Sequence, residues 1–291
     1  MRWRVRRRSA HLRDQRGASG GLGGLGGLPI KAGLPGVVVL LIALLFGGRL
    51  LNDGGINIPG VEGLPSVPGA TGGSPLPGAP DPDRKLVDFV SFVLDDVQGT
   101  WQQQFQRAGR QYRPAELVLF TEAVQTACGH ATSEVGPFYC PADQTVYLDL
   151  GFFRELNRRF GAPGDFAQAY VIAHEIAHHV QNVLGVSGSV RQAQEEQPDA
   201  ANELSINLEL QADCFAGVWG HTTYQRRILE RGDLEEGLTA AAAVGDDRIQ
   251  RQATGTTNPE TWTHGSSEQR VSWFRRGFDS GDADSCDTFQ E

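Results

Sequence analysis

The chain has 291 residues, 40% hydrophobic and 21% charged, with a net charge of −9. That length allows one or two domains, and the balance is ordinary for a globular protein. The charge is uneven: residues 1–34 carry Arg2, Arg4, Arg6, Arg7, Arg8, Arg13, Arg16 and Lys31 against Asp14 alone, a surplus of seven that leaves the remainder at −16. An acidic main body argues against nucleic acid as a partner.

Residues 1–34 are Arg-rich and then Gly-rich, from Gly20 to Gly27, and hold nothing that could bury a core. They read as a disordered tail. An uncharged, largely apolar run follows from Ala32 to Gly48, with Val37 to Phe46 at its centre. At about 17 residues it is at the short end for a membrane span. A signal-peptide core and a buried helix are the alternatives. No small-x-small cleavage site follows, since Arg49-Leu50-Leu51-Asn52 comes next, so an uncleaved transmembrane anchor over residues 35–52 is expected. The positive-inside rule then makes the tail cytoplasmic and the rest extracytoplasmic, a single-pass protein of a cell membrane. Residues 53–82, with Pro59, Pro65, Pro68, Pro75, Pro77, Pro80 and Pro82, read as a linker.

The folded domain is expected over residues 83–291. Leu86, Phe89, Val90, Val93, Leu94 and Val97 have helical spacing, which predicts a helix over 83–107. Glu116 to Phe120 suits a strand. Phe138 to Cys140 and Thr145 to Asp149 suit a hairpin with a four-residue loop. A short helix is expected over Gly151 to Arg159. Next, Asp165 follows Pro163-Gly164 and suits an N-cap, with Gln168 three residues on, and Gly185 suits a C-terminal stop. Phe166, Tyr170, Val171, Ala173, Ala177, Val180 and Leu184 mark the apolar stripe between them. Further helices are expected over Asn202 to Arg231, over Asp233 to Gln252, and from Ser266 or Ser267 to Phe278. The fold class is α+β, mainly helical with a small sheet and one preceding transmembrane helix.

The helix from Asp165 contains His174-Glu175-Ile176-Ala177-His178, an H-E-x-x-H motif. On a helix the two histidines leave one face about a turn apart, the separation that two nitrogens need to hold one zinc ion. Glu175 can reach a water on the metal's open side. A catalytic zinc takes a third protein ligand. Glu209 and Asp213 lie four apart on the next long helix; Glu209 is taken as that ligand, and Asp213 as the acceptor that fixes a histidine tautomer. The swapped assignment, Asp213 on the metal, stays open. The residues after His178 offer neither the Gly nor the third His of H-E-x-x-H-x-x-G-x-x-H, which excludes that class. His179 points about 100° away and reads as structural or supporting.

One zinc per chain, with Glu175 as general base, predicts hydrolysis of peptide bonds in a peptide or protein. The developing oxyanion needs a donor. His264 is the candidate, with Tyr139 and Tyr147 behind it. The strand Thr145 to Asp149 could present an edge to an extended peptide. Two other readings compete: a zinc-stabilised binding or regulatory module, and a non-peptidase hydrolase using the same water. An intact Glu175 favours an enzyme. Oligomeric state and cleavage preference are not legible.

The four cysteines, Cys128, Cys140, Cys214 and Cys286, are even in number and suit two disulfides in an extracytoplasmic domain. Three pairings are possible. Cys128 with Cys140 and Cys214 with Cys286 is the expected one, with buried free thiols as the alternative. None has the C-x-x-C spacing of a zinc site.

Several stretches together resemble the bacterial neutral zinc metallopeptidases, the YpfJ-like group. They are Gly136 to Pro141, Tyr147 to Asp149, His174 to Gln181, Glu209 to Gly217, and Thr263 to Ser266 with Gln269 and Arg270. They span the whole folded domain. The resemblance implies a zincin-like metallopeptidase domain with His174, Glu175 and His178 in the motif positions, and it implies no substrate. Ile176-Ala177, where relatives often have an aromatic residue and Gly, is a mild departure.

Overall fold

A computed structural model describes residues 1–5, 7–17 and 81–290. Its elements are β1 (Leu12–Asp14), α1 (Arg84–Arg107), β2 (Glu116–Phe120), β3 (Ala123–Thr126), β4 (Gly129–Thr132), β5 (Phe138–Cys140), β6 (Thr145–Asp149), α2 (Gly151–Arg158), α3 (Asp165–Leu184), α4 (Val186–Glu196), α5 (Ala201–Gln225), α6 (Asp233–Ala243), α7 (Asp246–Thr254) and α8 (Ser267–Ser280). The mainly helical reading with a small sheet holds.

Four strands form a sheet in the order β1-β2-β6-β5, with β1, β2 and β6 parallel and β5 antiparallel to β6. Alternation along the strands sorts their side chains between two faces. Leu117, Leu119, Val146 and Leu148 enter the main helical core. Val118, Phe120 and Tyr147 face the other way, onto Val124, Ala131 and Cys140 under the β3–β4 hairpin. The Cys128–Cys140 disulfide ties the hairpin turn to β5. β6 is covered on both sides, so it offers no free edge; the strand at the sheet margin beside α3 is β5.

Helix α3 runs through the core. Phe166, Ala169, Ile172, Ala173, Ile176, Ala177 and Val180 are fully buried, each large one worth about 1.5–3 kcal/mol of hydrophobic stabilisation. Its cap differs from expectation. Gly164 is the N-cap residue and Asp165 the first helical one, its carboxylate turned to the amino group of Met1 at 2.8 Å. Gly185 ends the helix in the left-handed conformation, as expected. Helix α5 crosses α8 at backbone contact. A Cβ on Gly217 would meet the Phe274 carbonyl oxygen, and one on Gly277 that of Cys214.

The helix expected over 233–252 is two. Gly245 is extended (ψ 141°), so α6 ends and α7 restarts at Asp246, and a Cβ at Gly245 would run into Ser267. The helix expected to reach Arg231 stops at Gln225, with Arg227 in the left-handed region at φ 59°.

The N-terminal residues correct a larger expectation. Residues 1–5 and 7–17 pack on the domain instead of forming a disordered tail. Trp3 lies on Phe89 and Phe92, with ring centroids 5.3 and 6.3 Å apart, and Leu12 pairs with Leu117. The arginines find carboxylates: Arg8 with Asp88, Arg13 with Glu116, and Arg16 with Asp14, Asp81 and Asp83. A basic string has partners once the acidic body is folded.

No helix among the described residues is long and apolar enough to cross a membrane. A single span between residues 17 and 81 would also part β1 from β2, which are hydrogen-bonded neighbours. The preceding transmembrane helix, and with it the cytoplasmic N-terminus opposite an extracytoplasmic domain, is therefore withdrawn. Residues 35–52, where the span was expected, lie outside the described residues, as do 18–34 and 53–80.

Candidate metal centre

Helix α3 supplies His174, Glu175 and His178, and α5 packs across it with Glu209 and Asp213. Ala173, Ala177 and Ala212, next to these side chains in sequence, are fully buried. His174 Nε2 is 3.1 Å from Glu209 Oε2 and 3.2 Å from His178 Nε2, and His178 Nε2 is 3.3 Å from Glu209 Oε1.

The outer nitrogens are committed elsewhere. His174 Nδ1 is 3.0 Å from Asp213 Oδ1, and His178 Nδ1 is 2.9 Å from Gln181 Oε1. Both partners are acceptors in this network, because the Gln181 amide nitrogen donates to the Leu208 carbonyl at 2.7 Å. Each Nδ1 therefore carries a proton. Two Nε2 lone pairs and a carboxylate are left converging on one point. Only a cation or a shared proton makes that arrangement favourable.

The spacing fits zinc. Bonds of about 2.0–2.1 Å to a tetrahedral ion separate its ligand atoms by ~3.3 Å. The three observed separations lie within about 0.2 Å of that. A second acidic cluster, Asp165, Asp233 and Glu236, differs, because the Met1 amino group lies against Asp165 and Asp233.

Electrostatics agree with a cation site. Burial pushes Glu209 up, but His178 and His174 outweigh it and hold its carboxyl well below the usual range. Burial likewise opposes ionisation of Asp213, and Arg270 and His174 hold its pKa down. Burial lowers His174, yet Asp213 and Glu209 lift the metal-free imidazole to about 10. Glu175 is raised, chiefly by burial, with His178 and His174 pulling the other way.

Asp213 lies against His174 Nδ1, and its other partners were not foreseen. Arg270 Nε is 2.9 Å from Oδ2 as an ion pair, Arg270 Nη2 donates to Oδ1 at 3.0 Å, and the Tyr170 hydroxyl donates to Oδ1. Arg270 is 2% exposed, so an arginine on an otherwise mixed helix is a buried clamp. The capping box of Ser266 and Gln269 fixes the start of α8 and so the place of Arg270, a residue the family resemblance also covers.

His264 is partly buried, and its Nδ1 is 3.1 Å from Asp246 Oδ1. Asp246 Oδ2 also accepts from the backbone N–H groups of Thr263 and His264, both at 2.7 Å. Burial lowers the His264 pKa, but Asp246 and then Glu209 raise it above the ordinary value. Asp246 is the residue that the single-helix expectation for 233–252 hid. The tyrosine candidates are engaged elsewhere: Tyr147 donates to Asp143 at 2.9 Å, and Tyr139 meets His179 Nδ1 and Asn182, both at 3.0 Å. His179 Nε2 donates to the Arg113 carbonyl at 2.7 Å, so His179 braces α3 against β5 and the approach to β2.

The expected pairings Cys128–Cys140 and Cys214–Cys286 are those of the structure. The second lies immediately behind Asp213.

A protein of Escherichia coli K12 described as "Uncharacterized protein YpfJ" is 46% identical over 291 residues, 99% of each chain. Uncharacterized proteins of Mycobacterium bovis and Mycobacterium tuberculosis H37Rv are 50% identical over 189 residues, 61% of this chain and 63% of each relative. No solved structure matches the chain significantly. The family model described as "Putative neutral zinc metallopeptidase" matches residues 1–289, the N-terminal segment included. The chain belongs to that zinc metallopeptidase family.

Proposed function

We propose that this protein hydrolyses peptide bonds in peptides or proteins with one zinc ion held by His174, His178 and Glu209. The observation that carries the reading is the convergence of three acceptor atoms 3.1 to 3.3 Å apart, with each outer histidine nitrogen tied to its own acceptor. Bound there, zinc would lower the pKa of a water toward 7 and polarise a carbonyl.

Glu175 follows His174 in the motif and is buried at the same centre, its pKa raised by burial toward the range useful to a base. It takes the proton of the attacking water and delivers it to the leaving amine. His264, held by Asp246 with its pKa raised, donates to the carbonyl oxygen as negative charge develops there. Asp213 and Arg270 keep His174 in the Nδ1–H tautomer. The margin strand β5, beside α3, suits an extended peptide lying along it.

Glu175→Gln tests this. The variant keeps zinc at wild-type affinity and loses roughly 10²-fold or more in turnover on a peptide library. Equal turnover in wild type and variant would remove Glu175 from the chemistry and return the reading to a zinc-stabilised binding module.

A further inference from the structure

His178 is linked to the C-terminal segment by an unbroken set of buried amides. Its Nδ1 lies 2.9 Å from Gln181 Oε1. Gln181 Nε2 donates to Gln211 Oε1 at 3.1 Å and to the Leu208 carbonyl at 2.7 Å. Gln211 Nε2 donates to the Cys286 carbonyl at 3.0 Å. Cys286 is bonded to Cys214 on α5, and Thr288 just beyond donates to the Asn207 carbonyl at 2.6 Å. Gln181 is fully buried and Gln211 is 6% exposed, so neither amide can exchange its partner for bulk water.

The direction of these bonds matters. A glutamine amide has one acceptor end and one donor end, and here each amide's orientation is set by the next. The Cys286 carbonyl can only accept, so Gln211 must turn its nitrogen toward it and its oxygen toward Gln181. Gln181 must then turn its nitrogen toward Gln211 and its oxygen toward His178. That oxygen obliges His178 to carry its proton on Nδ1, which frees Nε2.

We propose that Gln181 and Gln211 are positioning residues through which the disulfide-held C-terminal segment fixes the tautomer and ring orientation of His178. The role in metal binding rests on the reading of His178 as a ligand; the tautomer itself does not.

The test uses the full chain and two readouts. In the metal-free protein at mildly alkaline pH, nitrogen NMR of the His178 ring should show the Nδ1–H tautomer. Gln181→Leu, Gln211→Leu and the double variant Cys214→Ala/Cys286→Ala should each show a mixture, while Gln181→Glu, which keeps an acceptor oxygen, should restore the single tautomer. Zinc titration should show affinity weakened by about 10- to 100-fold in Gln181→Leu, less in Gln211→Leu and the cysteine variant, and near wild type in Gln181→Glu. Cooperative thermal unfolding identifies the folded variants, and the glutamate variant keeps the contrast alive if a leucine variant does not fold. A single Nδ1–H tautomer in folded Gln181→Leu or Gln211→Leu would overturn the proposal. A wild type that binds no zinc yet shows the fixed tautomer would overturn the ligand reading and leave the positioning intact.

Discussion

Asp213 and Glu209 are both buried carboxylates on one face of α5, and their partners separate their roles. Glu209 points at the two Nε2 atoms, while Asp213 is clamped by Arg270 and Tyr170 on the far side of His174. Glu209→Ala should therefore abolish zinc binding with little loss of fold, as read by titration and thermal unfolding. Asp213→Ala should cost about 3–5 kcal/mol of stability, because it strips the buried Arg270 guanidinium of its near carboxylate and leaves it only Glu209 at 3.8 Å. Arg270→Leu added to Asp213→Ala should recover part of that loss, and a purely additive double variant would show that the two do not act as a pair. The metal-free His174, lifted to about 10, carries a proton at neutral pH that metal must displace. Zinc affinity should accordingly rise by about tenfold per pH unit below that value, with about one proton released from this group on binding. Calorimetry in buffers of different ionisation enthalpy measures that release; a pH-independent affinity would contradict it. Most of this residue-scale picture was legible. The H-E-x-x-H spacing and the Glu209–Asp213 pair are local patterns on single helices. Arg270, Gln211 and Asp246 were not, because their meaning comes from contacts between elements that no spacing reveals.

The crossing of α5 and α8 decides how far Arg270 reaches. Gly217 and Gly277 place each helix on the other's backbone, and neither has room for a Cβ. Gly217→Ala or Gly277→Ala should cost about 1–3 kcal/mol or more by overpacking, and should draw Arg270 away from Asp213. Denaturant unfolding reads the first effect and zinc affinity the second; a neutral alanine at either position would mean the helices can slide apart freely. At this scale the sequence was a good guide where helices were amphipathic and bounded by caps. Helix α3 and its Gly185 stop illustrate this, as does the Ser266–Gln269 box of α8. It misled where the break was tertiary. The alanine-rich run to Val244 suits a continuous helix; the break falls at Gly245, extended and packed too closely on Ser267 for any Cβ. Helix α4 escaped notice because Val190 is its one buried residue, so it has no stripe to recognise.

Over the whole molecule, residues 1–5 and 7–17 join the domain whose described part resumes at residue 81. Arg16 bridges Asp14 to Asp81 and Asp83, which brings both ends of the intervening stretch to one place. Composition suggested the opposite, because a basic string without apolar periodicity looks solvated until its acidic partners are assembled. Deleting residues 1–16 uncovers β2 and the surface under Trp3. It should lower stability by about 2 kcal/mol or more on hydrophobic burial alone, seen as a lower thermal midpoint for the truncated chain. An unchanged midpoint would mean that the segment rests on the domain without supporting it.

The measurement closest to the central claim is the zinc content of the purified full chain, taken beside Glu209→Ala and Glu175→Gln. The site geometry predicts about one zinc per chain in the wild type and in Glu175→Gln, and none in Glu209→Ala. A folded wild type without zinc, or a Glu209→Ala variant that retains it, would contradict the assignment of His174, His178 and Glu209 as the metal centre.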